Sequence, residues 1–399
     1  MTGSGPDEYR AQARQWLETN ASPLGDGDAA HGGESEIERS KRFQHALWSA
    51  GYAGITWPKE YGGQGLTTEE LAAFNQVAGD FVLPSVPLSV GMGMVGPTML
   101  ELGTREQKSR YILPLLRGDE VWCQMFSEPD AGSDVAGLRT RAVRTGAGWI
   151  LNGRKVWTSN AQWADFGVIL ARTDADAPKH RGITMFILDM RRAGVTIRPL
   201  VVATGDAPFN EVVLDDVLVP HDAVLGRVNR GWDAAVAMLR HERVSIGTRV
   251  QKRSNALSFD NLARIARDRG ATSDAVVRRR LAEAYVRESA VLAYGRVLQA
   301  EANAGVEVGP RGSAAKLAGA ELRLWQALTA QEILGPDVAL GDREFDAVAL
   351  GIVAAPGVAT AGGTNEIQRN IIAERILGLP KDGGIADKNL PFNQIRTSR

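Results

Sequence analysis

The sequence predicts an α+β protein of more than one domain, in which helical, β and helical segments follow one another without interleaving. Two textures carry that prediction. Between about 119 and 225 the chain runs in short β-branched segments broken by turn residues, among them "GWILNGRKVWTSN", "DFGVILART", "GITMFILDM" and "NEVVLDDVLVP". On either side, apolar residues recur at spacings of three and four, the period of a helix with one buried face. A parallel doubly wound sheet needs strands that alternate with helices, so strands gathered in one block imply an antiparallel sheet or barrel. The expected divisions are 1–118, 119–225 and 226–399.

In the first part, Tyr9, Ala13, Trp16 and Leu17 fall on one helix face, and the Gly-rich "GDGDAAHGGE" separates them from Phe43, Ala46, Leu47 and Ala50. Two capping boxes follow, Thr67 with Glu70 and Thr104 with Gln107, each supplying acceptors for the free N–H groups of a new helix. From Gly231 onward Ala-, Leu- and Arg-rich segments restore the helical period up to "RILGLP", where Gly378 and Pro380 end it.

At 399 residues, 44% hydrophobic and 23% charged, the chain can bury a large core without staples. A single cysteine, Cys123, rules out an intramolecular disulfide and fits a reducing, cytoplasmic setting. The net charge of −1 supplies no global field for nucleic acid. "MTGSGPDEYR" has neither the basic lead nor the apolar run of a signal peptide. The uncharged run from Ala347 to Gly363 falls short of the ~18 residues a membrane span wants and contains Pro356, so it is expected to be buried within protein.

Several segments have a composition that suits chemistry. "GMGMVG", residues 91–96, matches the G-x-G-x-x-G dinucleotide fingerprint, but no βαβ texture surrounds it and Pro97 follows at once. A small-residue helical segment that packs closely is the expectation there. "MFSEPDAGSDV", residues 125–135, is a loop rich in N–H and O–H donors, suited to a polar cofactor edge or equally to solvent. "KVWTSNA", residues 155–161, adds an aromatic flanked by hydroxyls that could wall a planar ring.

Glu242 stands on the apolar stripe formed by Trp232, Ala235, Leu239 and Ile246, with no Lys or Arg three or four residues away on its own helix. A carboxylate buried in that way would rather hold a proton, which raises its pKa toward the range of a general base. The alternative is an ion pair with an arginine of another helix. The five histidines are scattered and none lies three or four residues from Glu242, so no metal cluster is expected.

"WPKEYGGQGL", "GTREQKSRYILPLLRGDE", "FSEPDAGSDVAGL", "LNGRKVWTSNA", "NEVVLDDVLVP" and "GTNEIQRNIIAERILGLP", in that order, resemble the acyl-CoA dehydrogenase family of flavoproteins over nearly the whole chain. The resemblance implies an N-terminal helical domain, a central antiparallel β-barrel and a C-terminal four-helix bundle, with FAD between barrel and bundle. It implies α,β-dehydrogenation of an acyl-CoA, with a base taking the α-proton and flavin N5 taking the β-hydrogen as hydride. Phe126, Ser127, Gly132 and Ser133 match positions around the flavin ring and the CoA channel, with Ser133 shared between cofactor and substrate. Trp157 and Ser159 match the residues flanking the ring, and Thr364 and Glu366 match the diphosphate and ribityl side.

Many members carry the base where this chain has Gly362, and glycine cannot abstract a proton. In another branch, which handles branched-chain and some long-chain acyl groups, the glutamate precedes an arginine on the bundle helix, as Glu242 precedes Arg243 here. The resemblance therefore makes Glu242 the base, Arg243 and Gly363 substrate contacts, and the Gly362 N–H a donor to the thioester oxygen. "ILGPDVALG" and "QKRSNALSFDNLARIARDRG" depart from the family's usual FAD-contact segments. Arg264 falls at a spacing that reaches the diphosphate. Electron-transfer flavoprotein is the expected oxidant, and a homodimer, homotetramer or hetero-oligomer the expected assembly. Alternatives on the same fold are a flavin oxidase or monooxygenase, and a non-catalytic or shared-site partner subunit.

Overall fold

The computed structural model describes residues 5–23, 35–248, 256–304, 306, 308–339, 345–381 and 389–395; the side chains of 243–248 and 303 lie outside that description. The first part contains α1 (Pro6–Asn20), α2 (Glu36–Ser49), α3 (Thr68–Ala78), α4 (Gly96–Leu102) and α5 (Arg105–Arg117), with a short ribbon of β1 (Ser22–Pro23) and β2 (Phe81–Val82). Both expected capping boxes form, at the starts of α3 and α5. A third, Ser35 with Glu38, opens α2 and was not anticipated.

The chain then lays down β3 (Trp122–Met125), β4 (Arg141–Arg144), β5 (Trp149–Ser159), β6 (Phe166–Arg172), β7 (Ile183–Asp189), β8 (Val195–Leu200) and β9 (Phe209–Val219). They form one seven-stranded sheet in the order β3-β6-β4-β5-β9-β8, with β7 on the other edge of β6. It departs from the antiparallel expectation in two places. β3 runs parallel to β6, and β4 meets β6 in parallel where Arg141 pairs with Arg172. β4 and β5 intervene in sequence between β3 and β6, so no hairpin forces those two to run opposite ways.

Burial explains why β6 and β7 read as continuous apolar runs. Val168, Leu170, Ile183, Met185 and Ile187 face a core shared with the N-terminal helices, while Ile169, Ala171, Phe186 and Leu188 face the interior of the curled sheet. Both faces are covered, so polar alternation is lost. A third core fills the C-terminal helices around Leu262, Ile265, Leu281 and Ile333.

Those helices are α6 (Gly231–Thr248), α7 (Phe259–Asp268), α8 (Ala275–Asn303), α9 (Arg311–Leu334), α10 (Asp346–Thr360) and α11 (Asn365–Arg375). α9 is central and packs on α7, α8, α10 and α11. The run from 347 to 363 is not buried as expected: in α10 only Val348 and Ala355 are, while Leu350, Val353 and Val358 are exposed. Composition reports hydrophobicity but not what covers it, and this face of α10 points away from α9. By length and composition the stretch Asp346–Arg375 passes as a membrane span. The chain nevertheless breaks at the turn after Thr360, and the 15 residues of α10 cover roughly 22 Å, less than the ~30 Å hydrocarbon core.

Candidate active site

On the sheet side, β3 delivers Phe126, which is buried, and Ser127, which is half-buried. The backbone then doubles back, with Glu128 and Ala131 exchanging N–H···O bonds of 3.0 and 3.1 Å. The Glu128 carboxylate turns inward. It accepts from Lys155 Nζ at 2.8 Å and from the backbone N–H groups of Arg139 at 2.7 Å and Thr140 at 2.9 Å. Lys155 is fully buried and also donates to the Phe126 carbonyl at 3.2 Å. Burial would push the Glu128 carboxyl up, but the Lys155 charge and these hydrogen bonds hold it below the usual carboxylate range. Val156 N–H donates to the Ser127 carbonyl at 3.0 Å, so the loop is tied to β5 twice. Gly132 and Ser133 project from its exposed tip.

Two positions further along β5, the pairing with β9 shifts between Lys155 and Thr158. Trp157 occupies that bulge with φ of 60° and remains 58% exposed, its ring edge-on to Phe209. A left-handed, solvent-facing tryptophan costs about 1–3 kcal/mol of backbone strain. Such strain persists only where flanking pairs enforce it, and here they aim a flat apolar face outward. Thr158 Oγ1 is buried with no partner among the described residues, and Ser159 beside it is half-buried.

On the bundle side, Gly362 and Gly363 take φ of 65° and 86° in the turn between α10 and α11. Gln368 Nε2 donates to both their carbonyls, at 3.0 and 3.1 Å, while its buried Oε1 lacks a partner among the described residues. A Cβ at position 363 would lie 2.7 Å from that nitrogen. Thr364 caps α11, its hydroxyl accepting from Ile367 N–H at 3.3 Å. Glu366 is exposed, and its backbone N–H and the Thr364 hydroxyl hold its carboxyl low. Lys316 reaches over from α9, 3.3 Å from Asn365 Oδ1 and 3.4 Å from the Ala359 carbonyl, and burial lowers its pKa. A helix N-terminus with an ammonium beside it suits an anion. Lys316 was missed in the sequence, although a lone cation in the apolar stretch "SAAKLAGA" was a signal.

Between the two sides runs α6. It must begin with glycine: a Cβ on Gly231 would fall 2.6 Å from the Thr184 backbone of β7. Ala234, Ala235, Ala237 and Met238 are buried, and the helix packs on β7, on α4 and on a π-helical turn, Gly91–Val95. That turn is most of "GMGMVG", and it behaves as a close-packing segment. A Cβ on Gly96 would meet the Trp57 ring at 2.2 Å. Glu242 lies half-buried one turn beyond Met238. A neighbouring group engages it, which corrects the expectation of a solitary carboxylate. Helical periodicity compares charges three and four residues apart on one helix and does not register every group within reach. The side chains of Arg243 and Ile246 lie outside the described residues.

The structure thus gathers Phe126, Ser127, Trp157 and Ser159 into one cluster and Gly362, Gly363, Thr364 and Glu366 into a second. Arg264 stands apart on α7, its guanidinium bonded to Asp268 at 2.9 Å and Asn261 at 3.2 Å. Residues 249–255 and 340–344, which hold parts of the two departing segments, lie outside the described residues. Among the described residues no group of three or more His, Cys, Asp or Glu side chains could hold a metal.

Comparison with known proteins defines the class. Three family models match in succession: acyl-CoA dehydrogenase N-terminal domain over residues 6–119, middle domain over 123–217 and C-terminal domain over 229–377. The chain belongs to the acyl-CoA dehydrogenase family, FAD-dependent oxidoreductases that dehydrogenate acyl-CoA thioesters. It is 36% identical over 382 residues to acyl-CoA dehydrogenase IpdE1 of Mycobacterium tuberculosis H37Rv, covering 94% of this chain and 98% of that one. It is 41% identical over 343 residues to acyl-CoA dehydrogenase FadE34 of the same organism, covering 86% of this chain and 46% of that one. Among solved structures, the Tcur3481-Tcur3483 steroid ACAD superposes with a TM-score of 0.78 at 29% identity, covering 96% and 99%. The ChsE4-ChsE5 complex from Mycobacterium tuberculosis gives 0.73 at 28%, covering 96% and 100%.

Proposed function

We propose that this chain dehydrogenates a bulky or branched acyl-CoA, with Glu242 as the base that takes the α-proton. The observation that carries this reading is a half-buried glutamate on α6, the helix that packs on the Gly91–Val95 turn, in a chain with no acid at position 362. A neighbour that engages Glu242 is compatible with base chemistry, since a base needs a group that orients it. The missing side chain at 362 leaves room for bulk. The likeness to a steroid ACAD and to the ChsE4-ChsE5 complex favours a polycyclic acyl group and an assembly of unlike chains over a homodimer or homotetramer.

The residues present fit FAD. Trp157 offers an exposed ring face, and Ser127, Thr158 and Ser159 offer hydroxyls beside it. The α11 N-terminus with Lys316 suits the diphosphate. Glu366, whose carboxyl is held low, suits the ribityl hydroxyls. FAD supplies the acceptor for the β-hydrogen, which leaves as hydride. Gly362 N–H stabilises the charge that grows on the thioester oxygen as Glu242 removes the α-proton, and Ser133, Arg243 and Gly363 line the substrate channel. Arg264 reaches the diphosphate once it leaves Asp268. Electron-transfer flavoprotein takes the electrons onward. The exposed face of α10 is covered by a second chain, and 1–118, 119–225 and 226–399 are the folding units.

Glu242→Gln tests the reading. The variant retains FAD, and anaerobic addition of a panel of CoA thioesters bleaches its flavin at least about 100-fold more slowly than wild type. Undiminished bleaching removes Glu242 from the mechanism. Preference for short straight chains removes the bulky substrate.

A further inference from the structure

We propose that residues 391–395 form a strap that positions the flavin-side loop, with Phe392 acting on it through Arg172. The strap lies beyond residue 377, where the family match ends. It packs on the 173–182 loop between β6 and β7. Phe392 N–H donates to the Ala177 carbonyl at 3.0 Å, Asn393 N–H to the Ala175 carbonyl at 3.1 Å, and Asn393 Nδ2 to Asp176 Oδ1 at 2.6 Å. These bonds set the Phe392 ring with its face 3.8 Å from the Arg172 guanidinium carbon.

Arg172 is 5% exposed, and burial lowers its pKa to about 10. A cation stripped of water gains most from an aromatic face. Its hydrogen bonds run to backbone carbonyls: Ala136 at 2.7 Å, Leu138 at 3.4 Å and Lys179 at 2.8 Å. Ala136 and Leu138 belong to the turn that follows Ser133. Lys179 Nζ bonds Asp134 Oδ2 at 2.6 Å, one residue from Ser133. On the opposite side of the same loop, His180 packs edge-on against Trp232, the second residue of α6, at 4.8 Å. The 173–182 loop therefore touches the strap, the loop assigned to flavin and thioester, and the helix that carries Glu242. Phe392 and Arg172 are positioning residues, and the inference rests on the assignment of 126–133 to the cofactor made above.

The test compares Phe392→Leu, which keeps apolar bulk without a π face, with Phe392→Tyr, which keeps the face. Amide hydrogen exchange on the FAD-bound protein is read over 127–140, with α2 as internal control, alongside the FAD dissociation constant. The leucine variant speeds exchange over 127–140 at least fivefold and weakens FAD about tenfold, the tyrosine variant stays within twofold of wild type, and α2 does not change. Unchanged exchange in the leucine variant overturns the strap. So does a tyrosine variant as loose as leucine, and so does equal loosening of α2. Loosening of 127–140 with unaltered FAD affinity supports the strap as a clamp and instead overturns the assignment of that loop to the cofactor.

Discussion

Two lysines mark the difference between the halves of the candidate site. Lys155 on the sheet side is fully buried, 2.8 Å from Glu128 and bonded to a backbone carbonyl. Lys316 on the bundle side is half-buried, its contacts 3.3 and 3.4 Å long, next to an exposed glycine turn and an apolar helix face. The first lysine completes a network within one chain. The second has long contacts, to the end of α10 and the start of α11. The sheet half is held by short bonds among buried groups, whereas the bundle half has longer contacts around an exposed turn.

The comparison breaks if the two lysines respond alike. Lys155→Met strands the Glu128 carboxylate in the interior and should cost about 3–5 kcal/mol, read as a lowered Tm. Replacing both partners with apolar residues should recover most of that loss. Gly363→Ala places a side chain where φ is 86° and crowds Gln368, so about 1–3 kcal/mol of stability should go, read by denaturant titration. Lys316→Met should move stability by less than about 1 kcal/mol yet weaken FAD roughly tenfold, the worth of one charge-assisted hydrogen bond. A large fall in Tm there, with unchanged FAD affinity, would reverse the contrast.

The smallest signal is in acid. Glu128 is held below its unfolded value, so its contribution is fully present above the ordinary carboxylate pKa of about 4.3 and is lost as pH falls through its own lower value. Thermal melts of wild type and Glu128→Gln should therefore converge as the pH drops below about 4.

The order of helical and β parts was legible because period and turn chemistry are local properties. The capping boxes at Thr67 and Thr104 were legible for the same reason. "GMGMVG" was correctly discounted, since its surroundings lacked strands. The Glu128–Lys155 pair was not visible: 27 residues separate its members, and neither periodicity nor composition marks a loop carboxylate as turned inward. Parallel pairing of β3 with β6 was hidden too, because register and direction depend on contacts between distant segments. The left-handed Trp157 emerges from a shift in pairing with β9 and has no signature of its own. For Glu242 the stripe placed the residue but did not reveal that another group engages it.

The π-helical turn at Gly91–Val95 runs directly into α4 and packs on α6. The Glu128–Lys155 clip instead joins a loop to strand β5. A change of bulk at Met94 would therefore press on the core of the N-terminal helices and on α6 before it reached the strands.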